Sequence, residues 1–529
     1  MTTRRRKLRR RKTTEELQAS SRIEVIERFS DKWWRINNLY YIQDEQARRV
    51  KFVCNPLQRK LWQDMWYCNI LLKARQFGGT TFIDILFLDD CLFTSNLEAG
   101  IIAHIKDDAK KIFRRKIKYP YDNLPLGLRE AVYLITDTTQ ELQFSNGSSI
   151  YVTNSVRSGT VQRLHISEYG KICCKYPDKA EEIKTGSLNA IHRGNIVWIE
   201  STAEGRFGDF FEKCQAARKR KEQGKPLTKL SYEFHFFPWY WDKKNALPDY
   251  EVPLVTISPE LERYFEELEA RKVPNINGKP HKFSPNQKAW YAQKLDEQGQ
   301  DKMYREFPST PDEAFNATIE GAYYAKEMTY LRKNNRITRV PWEPSVPVNT
   351  FWDLGMRAYT VIIYHQRVGL ENRIIDVDWD NEDGLPQYVK LLQSKGYIYG
   401  KHILPHDVKH RSLLSATAKT RLQKLRELMP NEHIEVAPGP TEMNLAEGIQ
   451  ETKDFLLTCW IDEEKCDKLI RALDGYRRKP NELHGGFHSY PVEDWCCHFA
   501  DAMRMGAIGY TPTTTTKRRR RRKRTAMVV

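Results

Sequence analysis

The sequence predicts an α/β protein made of two sheet-containing blocks flanked by basic tails. Three observations predict it. Between residues 21 and 240, short apolar strands alternate with helical stretches, the pattern of a parallel sheet covered by helices on both faces. From residue 346, three strands follow one another across short turns before any helix intervenes, which predicts a mixed sheet. Apolar residues make up 40% and aromatics 12% of the 529 residues, enough to give each block its own core.

The formal charge of +17 is concentrated at the ends. Residues 4–12 and 517–524 each carry eight Lys or Arg, sixteen of the 86 in the chain, which leaves 70 against 69 acidic residues in the body. The tails, 1–20 and the Thr/Arg-rich 511–529, are therefore expected to be disordered, self-repelling and able to bind polyanions through counterion release. No apolar run reaches the roughly 18 residues that a membrane span requires, and no secretory signal opens the chain. The ten cysteines show neither CxxC pairs nor zinc spacing, so free thiols in a reducing cytoplasm are expected.

In the first block, NILLKA (69–74) reads as a buried strand and TTFIDILFLDDCLF (80–93) as the helix after it. GIIAHI (100–105), SIYVTNS (149–155), RLHISE (163–168) and NIVWIEST (195–202) read as further strands. Residues 241–345 read as a linker or subdomain with the charged helices PELERYFEELEARK and NQKAWYAQKLDEQ. The second block, 346–510, runs VNTFWDLG, YTVIIYHQR and NRIIDVDWD as strands, then the helix PQYVKLLQSKG, the strand KHILPHD, and a final helix VEDWCCHFADAMRMGAIGY. This β-β-β-α-β order with a closing helix is ribonuclease H-like, a statement about fold and not chemistry.

LKARQFGGTT (72–81) lies between the first strand and its helix, where a phosphate-binding loop belongs. That loop runs G-x-x-x-x-G-K-[ST]: its N–H groups and the helix N-terminus hold phosphates, its Lys reaches the β/γ-phosphates and its hydroxyl holds Mg²⁺. Gly78 and Thr80 fit the frame, but Gly79 stands where the Lys should be. Either Lys73 or Arg75 can supply the missing cation, with Lys73 favoured, and Thr80, or else Thr81, would hold Mg²⁺. Ser167-Glu168 ends the RLHISE strand in place of Asp-Glu; Glu168 is the candidate base that polarises the attacking water. Ser201 and Thr202 end a third strand, where they can sense the γ-phosphate. Gln58, just upstream, can hydrogen-bond an adenine, and Arg157 or Arg163 can stabilise transition-state charge.

In the second block, Asp353 lies on the first strand, Asp407 at the end of the fourth and Asp501 on the closing helix. Three carboxylates on these elements can hold two Mg²⁺ ions about 4 Å apart on a phosphodiester, and hard oxygen ligands favour Mg²⁺ or Mn²⁺ over zinc. Asp501 is flanked by Cys497, Ala502 and Met505, a poor setting for a solvated carboxylate. Asp376, Asp378 and Asp380 offer competing carboxylates, one of them a candidate fourth ligand, while His406 and His498 are candidate phosphate contacts.

With both sites in view, residues from about 50 to 510 resemble the large terminase subunit of tailed bacteriophages. ARQFGGTT resembles the family's deviant phosphate loop, LHISEYGK its acid-bearing strand, and ESTAEG its coupling motif. FFPWYW (236–241) fits the end of the ATPase block, and REFPSTPDEAF (305–315) is the most family-specific string. WDLG, LPHD and HFADAM resemble the three nuclease motifs, carrying the metal-ligand roles to Asp353, Asp407 and Asp501. The resemblance implies an ATPase domain followed by a ribonuclease H-like nuclease, using ATP with Mg²⁺ and, for cleavage, Mg²⁺ or Mn²⁺. It implies double-stranded DNA, a portal protein and a small terminase subunit as partners. It also implies a ring of five subunits on the procapsid, with a monomer compatible in free solution. The place of action would be the host cytoplasm and, transiently, the procapsid, but not the mature virion. Two other readings are an ATP-regulated transposase or integrase, for which no separate DNA-binding module is visible, and a non-enzymatic DNA-condensing protein. The second leaves the ordered strand-end motifs without a purpose.

Overall fold

The computed structural model describes residues 26–153, 161–316, 318–355, 359–380, 384–409, 419–481 and 486–510. The basic tails and Arg157 lie outside these residues. The chain divides at Thr318/Ile319 into two compact units.

The first unit is built on an eight-stranded sheet. Its strands are β1 (Cys68–Lys73), β2 (Glu98–Ile102), β3 (Leu134–Asp137), β4 (Glu141–Phe144), β5 (Ser149–Thr153), β6 (Arg163–Ser167), β7 (Ile196–Ser201) and β8 (Tyr232–Phe237). Their order is β8-β1-β7-β6-β2-β5-β4-β3. Every neighbouring pair from β8 to β5 is parallel, and β4 and β3 close the edge antiparallel. The five strands expected from apolar runs are therefore present and form the expected parallel sheet, which an antiparallel edge extends. The extra edge follows from Asn146-Gly147, a strong hairpin signal, with Gly147 at φ 83° between β4 and β5.

β1 is buried along its whole length because helices cover both faces. Helix α1 (Pro56–Asp64) starts with a capping box between Asn55 and Gln58. Helix α2 (Gly79–Phe93) is apolar nearly all round and buried. Helices α3 (Tyr169–Lys175) and α4 (Gly208–Glu222) follow β6 and β7. An aromatic core of Trp239, Tyr240, Phe265, Phe283, Trp290 and Tyr291 gathers the helical stretch after β8.

The second unit holds a seven-stranded mixed sheet. Its strands are β9 (Ile337–Thr338), β10 (Val348–Leu354), β11 (Thr360–Val368), β12 (Glu371–Asp380), β13 (Tyr399–Leu404), β14 (His433–Val436) and β15 (Cys459–Asp462), ordered β9-β15-β12-β11-β10-β13-β14. β10, β11 and β12 form the expected antiparallel meander, and β13 and β14 add parallel to β10. This is the ribonuclease H-like core. Helices α5 (Leu385–Ser394), α6 (Leu445–Leu456), α7 (Asp467–Gly475) and α8 (Trp495–Gly509) complete it. A Cβ on Gly506 would stand 2.1 Å from Phe351, so this glycine lets α8 cross close over β10. Among the described residues, no helix is long and apolar enough to cross a membrane.

Candidate functional site

The first unit gathers its chemistry where β1, β6 and β7 end together. Gly78 turns the chain with φ 84°, a left-handed conformation that favours glycine, and caps α2. The loop thus delivers the N-terminus of a 15-residue helix, with its free N–H groups and positive dipole end, to the sheet edge.

Of the two candidate cations, Lys73 is in this site and Arg75 is not. Lys73 is buried, and its Nζ lies 3.3 Å from Thr80 Oγ1 and 3.7 Å from Glu168 Oε1. It also forms an ion pair with Glu200. Burial alone would lower its ammonium, but the Glu200 and Glu168 carboxylates hold it above its ordinary value. Arg75 is mostly exposed and pairs with Glu306 at 3.4 Å, and its N–H donates to the Glu306 carbonyl at 2.9 Å. Position 79 is tight for the standard lysine: a Cβ there would stand 3.0 Å from the Phe77 ring and 3.3 Å from Leu71, so these side chains would have to give by a few tenths of an ångström.

Glu168 sits at φ 56°, a strained setting for a non-glycine residue, between β6 and α3. One carboxylate oxygen faces Lys73; the other lies 2.9 Å from Lys171. Gln58 has both amide atoms engaged: Nε2 donates to the Gly78 carbonyl at 3.0 Å, and Oε1 accepts from the Asn55 N–H at 2.9 Å. It braces the loop, which is a different task from the expected hydrogen bonds to a base. Arg163 is likewise committed, its Nε donating to Asp90 at 2.6 Å. Thr81 is half-buried on the first turn of α2. Thr202 is buried, and its hydroxyl has no hydrogen-bond partner.

Three acid–base residues escaped the sequence reasoning. Glu200 is fully buried on β7, His165 on β6 and Asp84 on α2. His165 Nδ1 lies 2.8 Å from Asp84 Oδ1, and its Nε2 lies 3.5 Å from Glu200. Burial disfavours the imidazolium, yet Asp84 and Glu200 raise its affinity for a proton. Burial pushes the Glu200 carboxyl up, but Lys73 and His165 outweigh it and hold the group well below its ordinary value. Lys116 shares this field: desolvation lowers its ammonium against the pull of Asp84. The available signal was an ionisable letter inside an otherwise apolar strand or helix, since such residues are rarely buried unpaired.

REFPSTPDEAF ties together separate segments of the first unit. Arg305 approaches Glu204, just past β7, at 3.7 Å, and Glu306 holds Arg75. Ser309 accepts from Trp239 Nε1 at 2.9 Å. Tyr264 donates to the Glu313 carboxylate at 2.8 and 2.9 Å, and burial pushes that carboxyl up to about 7.

In the second unit, Asp353 ends β10 with its Oδ2 2.9 Å from His498 Nδ1 on α8. Asp501, one turn on, accepts from Arg504 Nη2 at 2.7 Å. Arg504 in turn lies against Gly448 of α6, where a Cβ would stand 2.9 Å from it. Asp407 lies in a short turn after β13, and its Oδ1 is buried without a partner. Burial raises the Asp353 carboxyl, and the Asp501 and Asp407 charges raise it further, so the three acids share one electrostatic field. The hydrogen bond to Asp353 in turn raises the His498 imidazole. Asp376 and Asp378 are instead held by Lys395, at 2.9 Å from each.

Among the described residues, no three His, Cys, Asp or Glu side chains stand close enough to hold a metal ion. Asp501 is tied to Arg504 and Asp353 to His498, so their oxygens face separate partners. The donor chemistry still fits a hard divalent cation: Asp353, Asp407 and Asp501 all offer carboxylates, and Asp407 keeps a buried oxygen without a partner.

Neither a protein-family model nor a curated protein matches the sequence. The chain is similar to solved structures at low identity. One is the large terminase of bacteriophage HK97, at 12% identity and a TM-score of 0.43, covering 91% of this chain and 99% of that one. Another is the large terminase of a thermophilic bacteriophage, at 12% identity and a TM-score of 0.29, covering 85% and 97%. The nuclease domain of the P22 large terminase aligns at 16% identity and a TM-score of 0.27, over 33% of this chain and 87% of that one. All three are large terminase structures or a domain of one.

Proposed function

We propose that this chain is the large subunit of a phage terminase, an ATP-driven translocase of double-stranded DNA joined to a metal-dependent endonuclease. The observation that carries the reading is the meeting of Lys73, Thr80 and Glu168 at the mouth of a glycine-turned helix N-terminus. Those are the cation, the hydroxyl and the base that phosphoryl transfer to water requires.

In this reading ATP lies along the 75–80 turn with its phosphates on the N–H groups of α2. Lys73 neutralises the β/γ-phosphate charge from beneath the loop, and Glu168 accepts a proton from the attacking water. Thr80 would hold Mg²⁺, which would supply charge neutralisation to the phosphate oxygens. Thr202 and the Arg305–Glu204 contact stand at the end of β7, where a change at the phosphates can pass to the rest of the unit.

In the second unit Asp353, Asp407 and Asp501 would hold Mg²⁺ or Mn²⁺, which activates water and stabilises the leaving oxygen. His498 fixes the Asp353 carboxylate, and Arg504 holds the Asp501 oxygen for which a cation would have to compete. ATP hydrolysis then drives DNA through a portal into the procapsid, and the nuclease cuts concatemeric DNA. A small terminase subunit, a portal protein and a five-membered ring of this chain on the procapsid complete the proposal, with the host cytoplasm as its place of action. The test is ATP hydrolysis with and without double-stranded DNA, alongside plasmid cleavage in Mg²⁺ or Mn²⁺. DNA-stimulated hydrolysis plus cleavage that disappears in Asp353→Asn supports the proposal. A chain that neither hydrolyses ATP nor cuts DNA contradicts it.

A further inference from the structure

Ser167 leaves a chemical gap at the end of β6. In nucleotide sites of this class that strand end carries an acid backing the magnesium ion, and a neutral hydroxyl brings no charge to the task. The adjoining strand brings one. Ser167 and Glu200 are register partners across the parallel β6–β7 pair. Glu200 Oε1 accepts hydrogen bonds from Ser167 Oγ and from Thr80 Oγ1, both at 2.8 Å. Two hydroxyls, one from the acid-bearing strand and one from the loop, thus converge on a single buried carboxylate oxygen.

We infer that Glu200 is the carboxylate that supports the nucleotide's divalent cation beside Thr80, in place of the acid absent at position 167. The inference rests on the nucleotide reading above and adds a residue to it. A fully buried carboxylate is costly unless compensated. Here Lys73 ion-pairs with it, and Thr80 and Ser167 donate to it. These are neighbours that serve a phosphate and a metal as well as they serve the carboxylate. A second observation lies at the end of the same strand: the Thr202 side chain is buried to within 2% of full enclosure, and its hydroxyl has no partner. Buried hydroxyls rarely stay unbonded, which points to a ligand or its hydration at this strand end. Asp84, the other buried acid nearby, bonds His165 instead.

The two position changes compensate for each other. Gly79 has surrendered the lysine to position 73, and Ser167 has surrendered the acid to position 200. Lys73 and Glu200 sit on neighbouring strands β1 and β7, so the relocated pair remains side by side.

The test is the affinity of full-length protein for a fluorescent ATP analogue, measured with Mg²⁺ and with EDTA. In the wild type, Mg²⁺ tightens binding. In Glu200→Gln the tightening falls by about 10–100-fold, the usual cost of removing a residue that supports a metal ligand, while binding in EDTA persists. The exchange variant Ser167→Asp/Glu200→Ser returns the carboxylate to β6 and restores the tightening. It also keeps the test decisive if Glu200→Gln fails to fold with Lys73 unpaired. Undiminished Mg²⁺ tightening in Glu200→Gln overturns the inference, as does a folded exchange variant with none. A wild type that binds the analogue in neither condition overturns the nucleotide reading itself.

Discussion

Lys73 Nζ lies 3.3 Å from Thr80 Oγ1, although a six-residue turn separates the two in sequence. The contact closes the 74–79 turn on itself: the last residue of β1 reaches the first turn of α2.

Restoring the textual motif should therefore harm the protein. Gly79→Lys forces a Cβ to 3.0 Å from the Phe77 ring and 3.3 Å from Leu71. Overpacking of this kind costs about 1–3 kcal/mol. The expected result is a lower melting temperature and no gain in nucleotide affinity. A gain in affinity with unchanged melting would show that the loop can accept its usual lysine.

Glu168→Gln should separate binding from chemistry. The amide keeps the size of the side chain and its approach to Lys73 and Lys171 but cannot take a proton. Loss of a general base costs about 10²–10⁴-fold in rate, so turnover should collapse while affinity for the ATP analogue stays within a few-fold. Equal turnover in both proteins would remove Glu168 from the chemistry.

Glu313 makes the first unit's stability pH-dependent. Its carboxyl is raised by burial from the ordinary 4.5 to about 7, against the lowering effect of the Tyr264 hydrogen bonds. Below about pH 4.5 folded and unfolded states both hold the proton; between about 4.5 and 7 only the folded state does. Stability contributed by this group is thus complete at low pH and is lost as pH rises through 7, by an amount on the order of 3 kcal/mol. Glu313→Gln should flatten that part of a denaturation series taken from pH 5 to 8. A wild type and variant with parallel profiles would refute it.

In the second unit, Arg504→Ala removes the partner of Asp501 and leaves that carboxylate free for a cation. Mn²⁺ should bind more tightly than in the wild type by calorimetry, whereas Asp501→Asn should abolish cleavage and leave ATP hydrolysis intact. Weaker Mn²⁺ binding in a folded Arg504→Ala protein would mean that the guanidinium orients the ligand instead of competing for it.

Strands and their ends were legible because burial on both faces leaves continuous apolar runs, as in NILLKA and NIVWIEST. Gly78, Thr80 and Glu168 were picked out by strand-end logic, and the three aspartates by the order of strands and the closing helix. The choice between Lys73 and Arg75 did not follow, because it depends on Glu306, more than two hundred residues away, which engages Arg75. Glu200 was hidden in plain view: attention to Ser201 and Thr202 passed over a carboxylate inside an apolar strand. His165 and Asp84 were missed because each makes sense only beside the other, across a strand and a helix. Arg504 stands three residues from Asp501 on the closing helix, a spacing that puts both on one face, so this partner was legible in the sequence and was passed over. The meaning of REFPSTPDEAF also emerged only from its contacts, with Arg75, Glu204, Trp239 and Tyr264 in four separate segments.

The central claim is that the cation of the phosphate loop has moved to position 73. The most direct measurement is the ATP hydrolysis rate of Lys73→Ala beside Arg75→Ala, both checked for folding by thermal melting. The account predicts that Lys73→Ala falls by about 100-fold or more, the scale of losing one preorganised charge contact to the transition state, while Arg75→Ala stays within about threefold of wild type. A folded Lys73→Ala protein that hydrolyses ATP at the wild-type rate would contradict it.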